Sequence, residues 1–344
     1  MRITLLGALL LLGAAAPARA LQTNVAGSAA QFLQIGAGAR SLGMGEAYTA
    51  VADGPDAVYW NPAGLSRMSR PEATYSRTEL PAGLHHDFLA VGVPSEMLAG
   101  TFALGVTRLS QDNLALVNAS NQTQGSFSPH SEVFSLGYGH SFGANDIASN
   151  SRDYFRDNWN IPRADRPYEN EREPWTGEIA AGAAIKVIEE NLGTRSASAF
   201  AIDGGGMFRP TDLHELIVAG AFRNIGSRLT FITQQEALPG ELAVSVAYDA
   251  RTDDWRFLPA LEIAVPYAGN VYGKLGFEAT KKISEGTTAA MRLGYTSVSA
   301  ADLGVLSGVT AGVGLKVGKF SFDAAFQPMA LLGESFRIGV GWKF

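Results

Sequence analysis

The sequence predicts an all-β chain: a 14-stranded antiparallel transmembrane β-barrel of the outer membrane with a short N-terminal helical hatch. Three observations lead there. From Glu72 to the C terminus, apolar residues alternate with small or polar ones at a period of two, the mark of strands with one greasy face. Beyond residue 20 there is no apolar run of about 18 residues, so any membrane crossing falls to strands closed into a barrel, which pairs every backbone group in lipid. Ahead of the strands stands a segment of another kind, residues 36–65, too poor in large apolar side chains to build a core of its own.

The first 20 residues read as a secretory signal peptide. Arg2 supplies the positive start, residues 3–16 the apolar stretch, and Ala18-Arg19-Ala20 the small-x-small cleavage site. Removing Arg2 and Arg19 takes the formal charge of −6 to −8, and an acidic mature chain argues against a nucleic-acid partner. Gly is high at 39 residues and charge low at 17%, while mean hydropathy is only +0.05, as alternation would average it. A large secreted β-sandwich would also suit these figures. With no cysteine, disulfides, thiol nucleophiles and Cys metal sites are excluded.

Residues 21–71 form the expected hatch. Within GAGARSLGMGEAYTAVADGPDAVYWNPAGL, glycines and alanines allow close approach to other backbones, and Arg40, Gly43, Gly45, Glu46, Asp53, Asn61 and Pro62 are its candidate functional residues. Ser41 is placed to cap a helix running to about Ala52, with Met44, Tyr48 and Val51 at helical spacing. Asp53-Gly54-Pro55-Asp56 and Asn61-Pro62-Ala63-Gly64 read as turns, and Pro62 biases Asn61 towards an extended backbone.

Residues 72–344 supply the barrel. The last strand shows the pattern best: Phe336, Ile338, Val340, Trp342 and Phe344 alternate with Ser335, Arg337, Gly339, Gly341 and Lys343. About fourteen such stretches follow one another, centred near Tyr75, Val91, Leu104, Leu136, Ala183, Gly204, Ala219, Val246, Leu261, Phe277, Leu293, Val313, Phe322 and Val340. An even count puts both ends of the barrel's chain on the periplasmic side, with short links there and longer ones (110–131, 225–239 and 299–306) outside. The polar link 145–174 breaks that rule: either it is a periplasmic insertion or the strand count before it is off by one. Its seven acids and five bases nearly balance, as in a solvated loop, while its aromatics suit a docking site for a periplasmic partner.

Little looks catalytic, and no cofactor or metal is expected. His85, His86, His130, His140 and His214 are scattered, with no spaced third ligand beside His85-His86-Asp87. Ser135 and His140 share a strand region without a nucleophile-elbow motif. Asp203-Gly204-Gly205-Gly206 lies mid-strand, where glycine marks a bend or a close approach by another backbone rather than a phosphate loop. More informative are charges on the polar faces of strands: Lys186, Arg223, Glu262, Lys274, Glu278, Arg292 and Arg337, with Lys316 and Asp323. Both signs occur, so they can pair with one another and with the hatch in a plugged lumen; a wide water-filled porin is the alternative, against which many other inward positions are Gly, Ala or Ser.

The run SLGMGEAYTAVADGPDAVYWNPAGL resembles the N-terminal signature of the PorV/PorQ outer-membrane proteins and, more distantly, the FadL-type transporters of hydrophobic compounds. The resemblance extends to AIDGGGMFRPTD, FRNIGSRLTF and LPGELAVSVAY and to the aromatic last strand. It implies a barrel with an N-terminal hatch, of one of two uses. A PorV/PorQ-like protein would support type IX protein secretion or surface attachment, with secretion components or cargo proteins as partners. A FadL-like one would hold a hydrophobic ligand in its lumen. Outer-membrane lipid and the barrel-assembly machinery are implied as partners either way, the latter reading Phe336, Val340, Trp342 and Phe344.

Overall fold

The computed structural model describes residues 22–23 and 28–344 apart from 96, 119, 121, 143–177, 194, 211–212 and 232–233. The expected signal peptide and the 145–174 link lie outside the described residues. Fourteen strands form one sheet that closes on itself. The first half comprises β1 (Glu72–Leu80), β2 (Leu84–Ser95), β3 (Gly100–Gln111), β4 (His130–Phe142), β5 (Glu178–Asn191), β6 (Ser196–Arg209) and β7 (Leu216–Gly226). The second comprises β8 (Glu241–Tyr248), β9 (Trp255–Pro266), β10 (Tyr272–Ser284), β11 (Thr287–Thr296), β12 (Val309–Val317), β13 (Phe320–Pro328) and β14 (Glu334–Lys343). Each pairs antiparallel with its sequence neighbours, and β14 returns to β1 with Val340 opposite Tyr75. All fourteen centres read from the alternation fall in separate strands.

The strands form because one face wants lipid and the other does not. On β14, Phe336, Ile338, Val340 and Trp342 point out and are exposed, as is Phe344 just beyond it, while Ser335 and Arg337 are buried inside. No helix of the described residues is long and apolar enough to cross a membrane. The links after β3, β7 and β11 are long. They carry a hairpin (Leu114–Val117 with Thr123–Phe127), a smaller one (Leu229–Phe231 with Gln234–Glu236) and helix α3 (Ser297–Leu303). Among the described links at the opposite end, those after β10 and β12 are tight, with left-handed Gly286 and Gly318. Phe344 closes that end by donating its backbone N–H to Pro71 O at 2.9 Å. Strands β4 and β5 meet the undescribed link at this terminus end.

The N-terminal segment threads the lumen from one end to the other. Gln22 and Thr23 pair with Asn270 and Gly269 in the link after β9, at the long-loop end. Phe32 and Leu33 then pack with Val133, Ile188, Leu229 and Leu238. Helix α1 (Ala39–Gly43), helix α2 (Ala57–Trp60) and a 3-10 turn (Pro62–Arg67) follow towards the terminus end. The main core is this segment's own Met44, Tyr48, Val58, Trp60 and Leu65 set among alanines of the strands.

The helix expected from Ser41 to about Ala52 is much shorter. Gly45 (φ 63°) and Glu46 (φ 62°) turn left-handed and end it, and Ser41 lies inside α1, its Oγ donating to Ala37 O rather than capping. The cause is tertiary: a Cβ on Gly45 would lie 2.5 Å from Tyr295 N and 2.6 Å from Leu275 O, so the chain turns where it meets the wall.

Candidate lumenal site

The hatch segment is seated in the wall through glycines on both partners. A Cβ on Gly182 would stand 2.3 Å from Pro62 C, one on Gly139 2.4 Å from Pro62 O, and one on Gly294 2.0 Å from Gly45 N. Gly205, in the Asp203–Gly206 run, faces Asn61 Oδ1 at 2.0 Å from its would-be Cβ, so that run is a close-approach site. Asn61 is extended (φ −160°), as Pro62 demands, and its Oδ1 accepts from Ala63 N–H at 3.1 Å. Its amide donates to Thr49 O at 3.0 Å and to Gly206 O at 3.4 Å, joining the two hatch turns to β6. Gly43 sits against Gly312 and Arg292, letting α1 reach β11 and β12.

The inward charges are consumed by pairing. Arg40 binds Glu278 bidentately, with Nε and Nη2 each donating at 2.8 Å, and holds Asp53 at 2.7 Å. Arg292 completes the chain with Glu278 at 2.6 Å and Asp323 at 2.7 Å. Nearer the long loops, Glu262 accepts from the backbone N–H groups of Tyr48 and Thr49 at 3.0 and 2.9 Å and pairs with Lys274 at 3.1 Å. Arg223 bonds Glu241, donates to Trp60 O at 2.8 Å, and lies 3.6 Å from Glu262. Arg337 donates to Thr78 Oγ1 at 2.7 Å and Gly38 O at 3.1 Å, with Glu46 3.6 Å away. Lys186 pairs with Asp203 at 2.5 Å and donates to Asn224 at 2.8 Å. Lys316, partly buried, lines the cavity at the terminus end.

Sequence reasoning missed several members of this network: Asp203, Glu241, Thr49, Tyr59 and Trp60. Glu241 shares the inward parity of Ala243 and Ser245, a signal that was available. Trp60 lies between two cations, Arg223 Cζ at 5.4 Å and Lys274 Nζ at 5.2 Å from its ring, and donates to Ala37 O at 2.8 Å. Tyr59 donates to Leu33 O at 2.8 Å, and its burial raises the phenol's pKa. Ser135 and His140 cannot act together, since Ser135 is buried on the inner face while His140 stands five residues on, on the outer one.

Cavities lie on both sides of the hatch. The one at the long-loop end, about 330 Å³, is bordered by Leu33, Ile35, Leu42, Tyr59, Trp60 and Met329 together with the paired charges above. The one at the terminus end, about 480 Å³, is polar and carries Arg40, Arg67, Arg256, Lys316 and Lys319. Asp56 also borders it; burial deep in the barrel, with the like charges of Asp53 and Glu72, pushes its carboxyl up to about 7.

A closed barrel of 14 antiparallel strands, apolar outside and with an N-terminal segment folded into its lumen, defines the protein as a transmembrane β-barrel. Solved structures agree. The toluene transporter TbuX of Ralstonia pickettii superposes with a TM-score of 0.54 at 12% identity, over 90% of this chain and 98% of that one. The toluene transporter TodX of Pseudomonas putida gives 0.53 at 11% identity, over 89% and 96%. At such identity the likeness is one of fold. No protein-family model and no curated protein matches the sequence.

Proposed function

We propose that the protein is an outer-membrane channel for small hydrophobic compounds, non-enzymatic, in which the hatch segment plugs the lumen. The observation that carries this reading is the cavity of about 330 Å³ at the long-loop end. It lies at the small end of the ~300–1,000 Å³ usual for ligand sites. The hatch floors it, its bordering cations are already engaged with carboxylates, and Leu33, Ile35, Leu42, Tyr59, Trp60 and Met329 offer a guest an apolar patch beside polar Gln34, Asn224 and Gln327. The names of the fold neighbours, both toluene transporters, favour the same direction. The test uses toluene as probe. Purified protein should bind it saturably, with a change in Trp60 emission, and cells lacking the protein should take it up more slowly. Leu42→Trp, which fills the cavity, should abolish both effects in folded barrel; unchanged binding and uptake would refute the reading.

The PorV/PorQ-type role in type IX secretion, the first expectation from the sequence, becomes the second reading. What favours it is the hairpin after β3, which holds Leu114 and Leu116 exposed at the long-loop end, where a cargo or secretion component could dock. Recovery of such a protein by pull-down, lost on Leu116→Ser, would support it. We also propose that the outward Phe336, Val340, Trp342 and Phe344 serve barrel assembly. Deleting Phe344 should lower the amount of heat-modifiable, assembled barrel without altering export.

A further inference from the structure

On the outer surface of β1–β5 the side chains change character in a single step. One row, in direct cross-strand register, is Tyr75, Leu89, Val106, Phe134 and Val187. The next outward row towards the long loops is Arg77, Asp87, Arg108, Glu132 and Glu189, every member charged. Continued the other way round the barrel from Arg77, the same row becomes Ile338, Ala324, Val313 and Met291, all apolar. The charged sector lies on the part of this row farthest from the terminus-end feet of the strands, eleven residues up β5 at Glu189 against four up β11 at Met291.

Its charges are held in place. Arg77 lies 3.4 Å from Asp87 and 2.7 Å from Glu79, Tyr75 donates to Asp87 at 2.6 Å, and Arg108 lies 3.1 Å from Glu132. Arg77 and Arg108 remain 37% and 51% exposed, so part of each guanidinium is offered outward. Glu132 and Glu189 stand directly opposite each other, an arrangement of like charges that destabilises a sheet unless a cation lies between. From Arg108 to Gly100 at the foot of β3 is eight residues, about 26 Å of strand or about 20 Å of depth at a tilt near 40°, against an apolar band of about 25 Å. Arg108 thus sits near the upper edge of the hydrocarbon, with Arg77, five residues above the foot of β1, deeper and Glu189, eleven above the foot of β5, higher.

We propose that this sector binds the headgroup of a phosphorylated glycolipid of the outer leaflet, with Arg77 and Arg108 on its phosphates and a divalent cation shared between phosphate and the Glu132–Glu189 pair. Its acyl chains lie on Leu89, Leu104 and Phe134 below. A zwitterionic phospholipid would need neither the paired arginines nor the facing carboxylates. The proposal rests on the long-loop end facing outward and is independent of what the lumen carries.

The test reconstitutes the full chain in phosphatidylcholine vesicles doped with lipopolysaccharide and measures glycolipid retained per barrel after extraction in magnesium. Arg77→Gln with Arg108→Gln should reduce retention about tenfold, equivalent to ~1.4 kcal/mol, and chelating the divalent ions should do the same. Lys281→Gln, outward on the terminus-end part of β10, should change nothing, and heat-modifiable gel mobility shows that each variant is folded. Equal retention by the double variant, equal retention of phosphatidylglycerol, or a stoichiometric protein partner released by the same substitutions would each overturn the proposal. Toluene binding should be unchanged throughout, which separates this outcome from failure of the channel reading.

Discussion

The two halves of the hatch segment are held in the barrel by different physics. The first, α1 and the turn after it, lies against β9–β14 and is tied by charge: Arg40 to Glu278, Glu262 to the backbone of Tyr48 and Thr49, Arg337 to Gly38. The second, α2 and the Pro62–Arg67 turn, lies against β3–β6 and is fitted by shape: Pro62 on Gly139 and Gly182, Val58 on Gly105 and Gly137, Asn61 on Gly205. A charge contact is long-range and strong only because it is dry; a backbone-on-backbone contact exists only while no Cβ intervenes. Charge dominates in the first half, although Gly45 on Gly294 and Gly43 on Gly312 also fit it to the wall; shape dominates in the second, although Arg223 also holds Trp60 O.

Breaking the charged half should give the largest effect. Glu278→Ala takes the shared carboxylate from Arg40 and Arg292 and leaves them only Asp53 and Asp323; removing one partner of a buried ion pair costs about 3–5 kcal/mol. Urea unfolding of the detergent-solubilised barrel should show it, together with faster proteolysis of the hatch. Gly182→Val tests the fitted half. Its Cβ has no room beside Pro62, so overpacking of about 1–3 kcal/mol is expected, with the hatch displaced while the barrel still shifts on heating in gels. Asn61→Ala should cost less, about 1–2 kcal/mol for lost buried hydrogen bonds, and should loosen both halves because Asn61 bridges Thr49 and Gly206.

A pH dependence is expected where the two halves meet, at Asp56. Its folded carboxyl is raised to about 7, so the folded state holds this proton more tightly than the unfolded chain. Its contribution is therefore fully present below the unfolded value near 4 and is lost as pH rises through about 7. Hatch protection from proteolysis should fall over that window in the wild type and stay flat in Asp56→Asn. A flat wild-type profile would show that Asp53 and Glu72 do not crowd Asp56 as the geometry implies.

Much of the wall was legible because its information is local. Alternation such as Phe336, Ile338, Val340 and Trp342 needs only neighbouring residues to be read, and it located strands whose partners lie far off in sequence. The candidate charges were legible for the same reason, since parity alone assigns Glu278, Arg292 and Arg337 to the inside. Their pairings were not: Arg40 and Glu278 are 238 residues apart, and nothing along the chain links them. The end of α1 escaped too, because helical spacing continued through Tyr48 and Val51 while the left-handed turn at Gly45 answers to the wall at Tyr295.

By itself, then, the chain's pattern determined a closed barrel of about fourteen strands, an N-terminal segment that could not fold alone, and a lumen carrying charges of both signs. Each follows from periodicity or composition, which act within a few residues. Tertiary structure alone decided that the segment enters from the long-loop end, which glycine meets which backbone, and which carboxylate neutralises which cation. It also decided that Arg77, Asp87, Arg108, Glu132 and Glu189 share one outward row, because register is a relation between strands and no strand contains it.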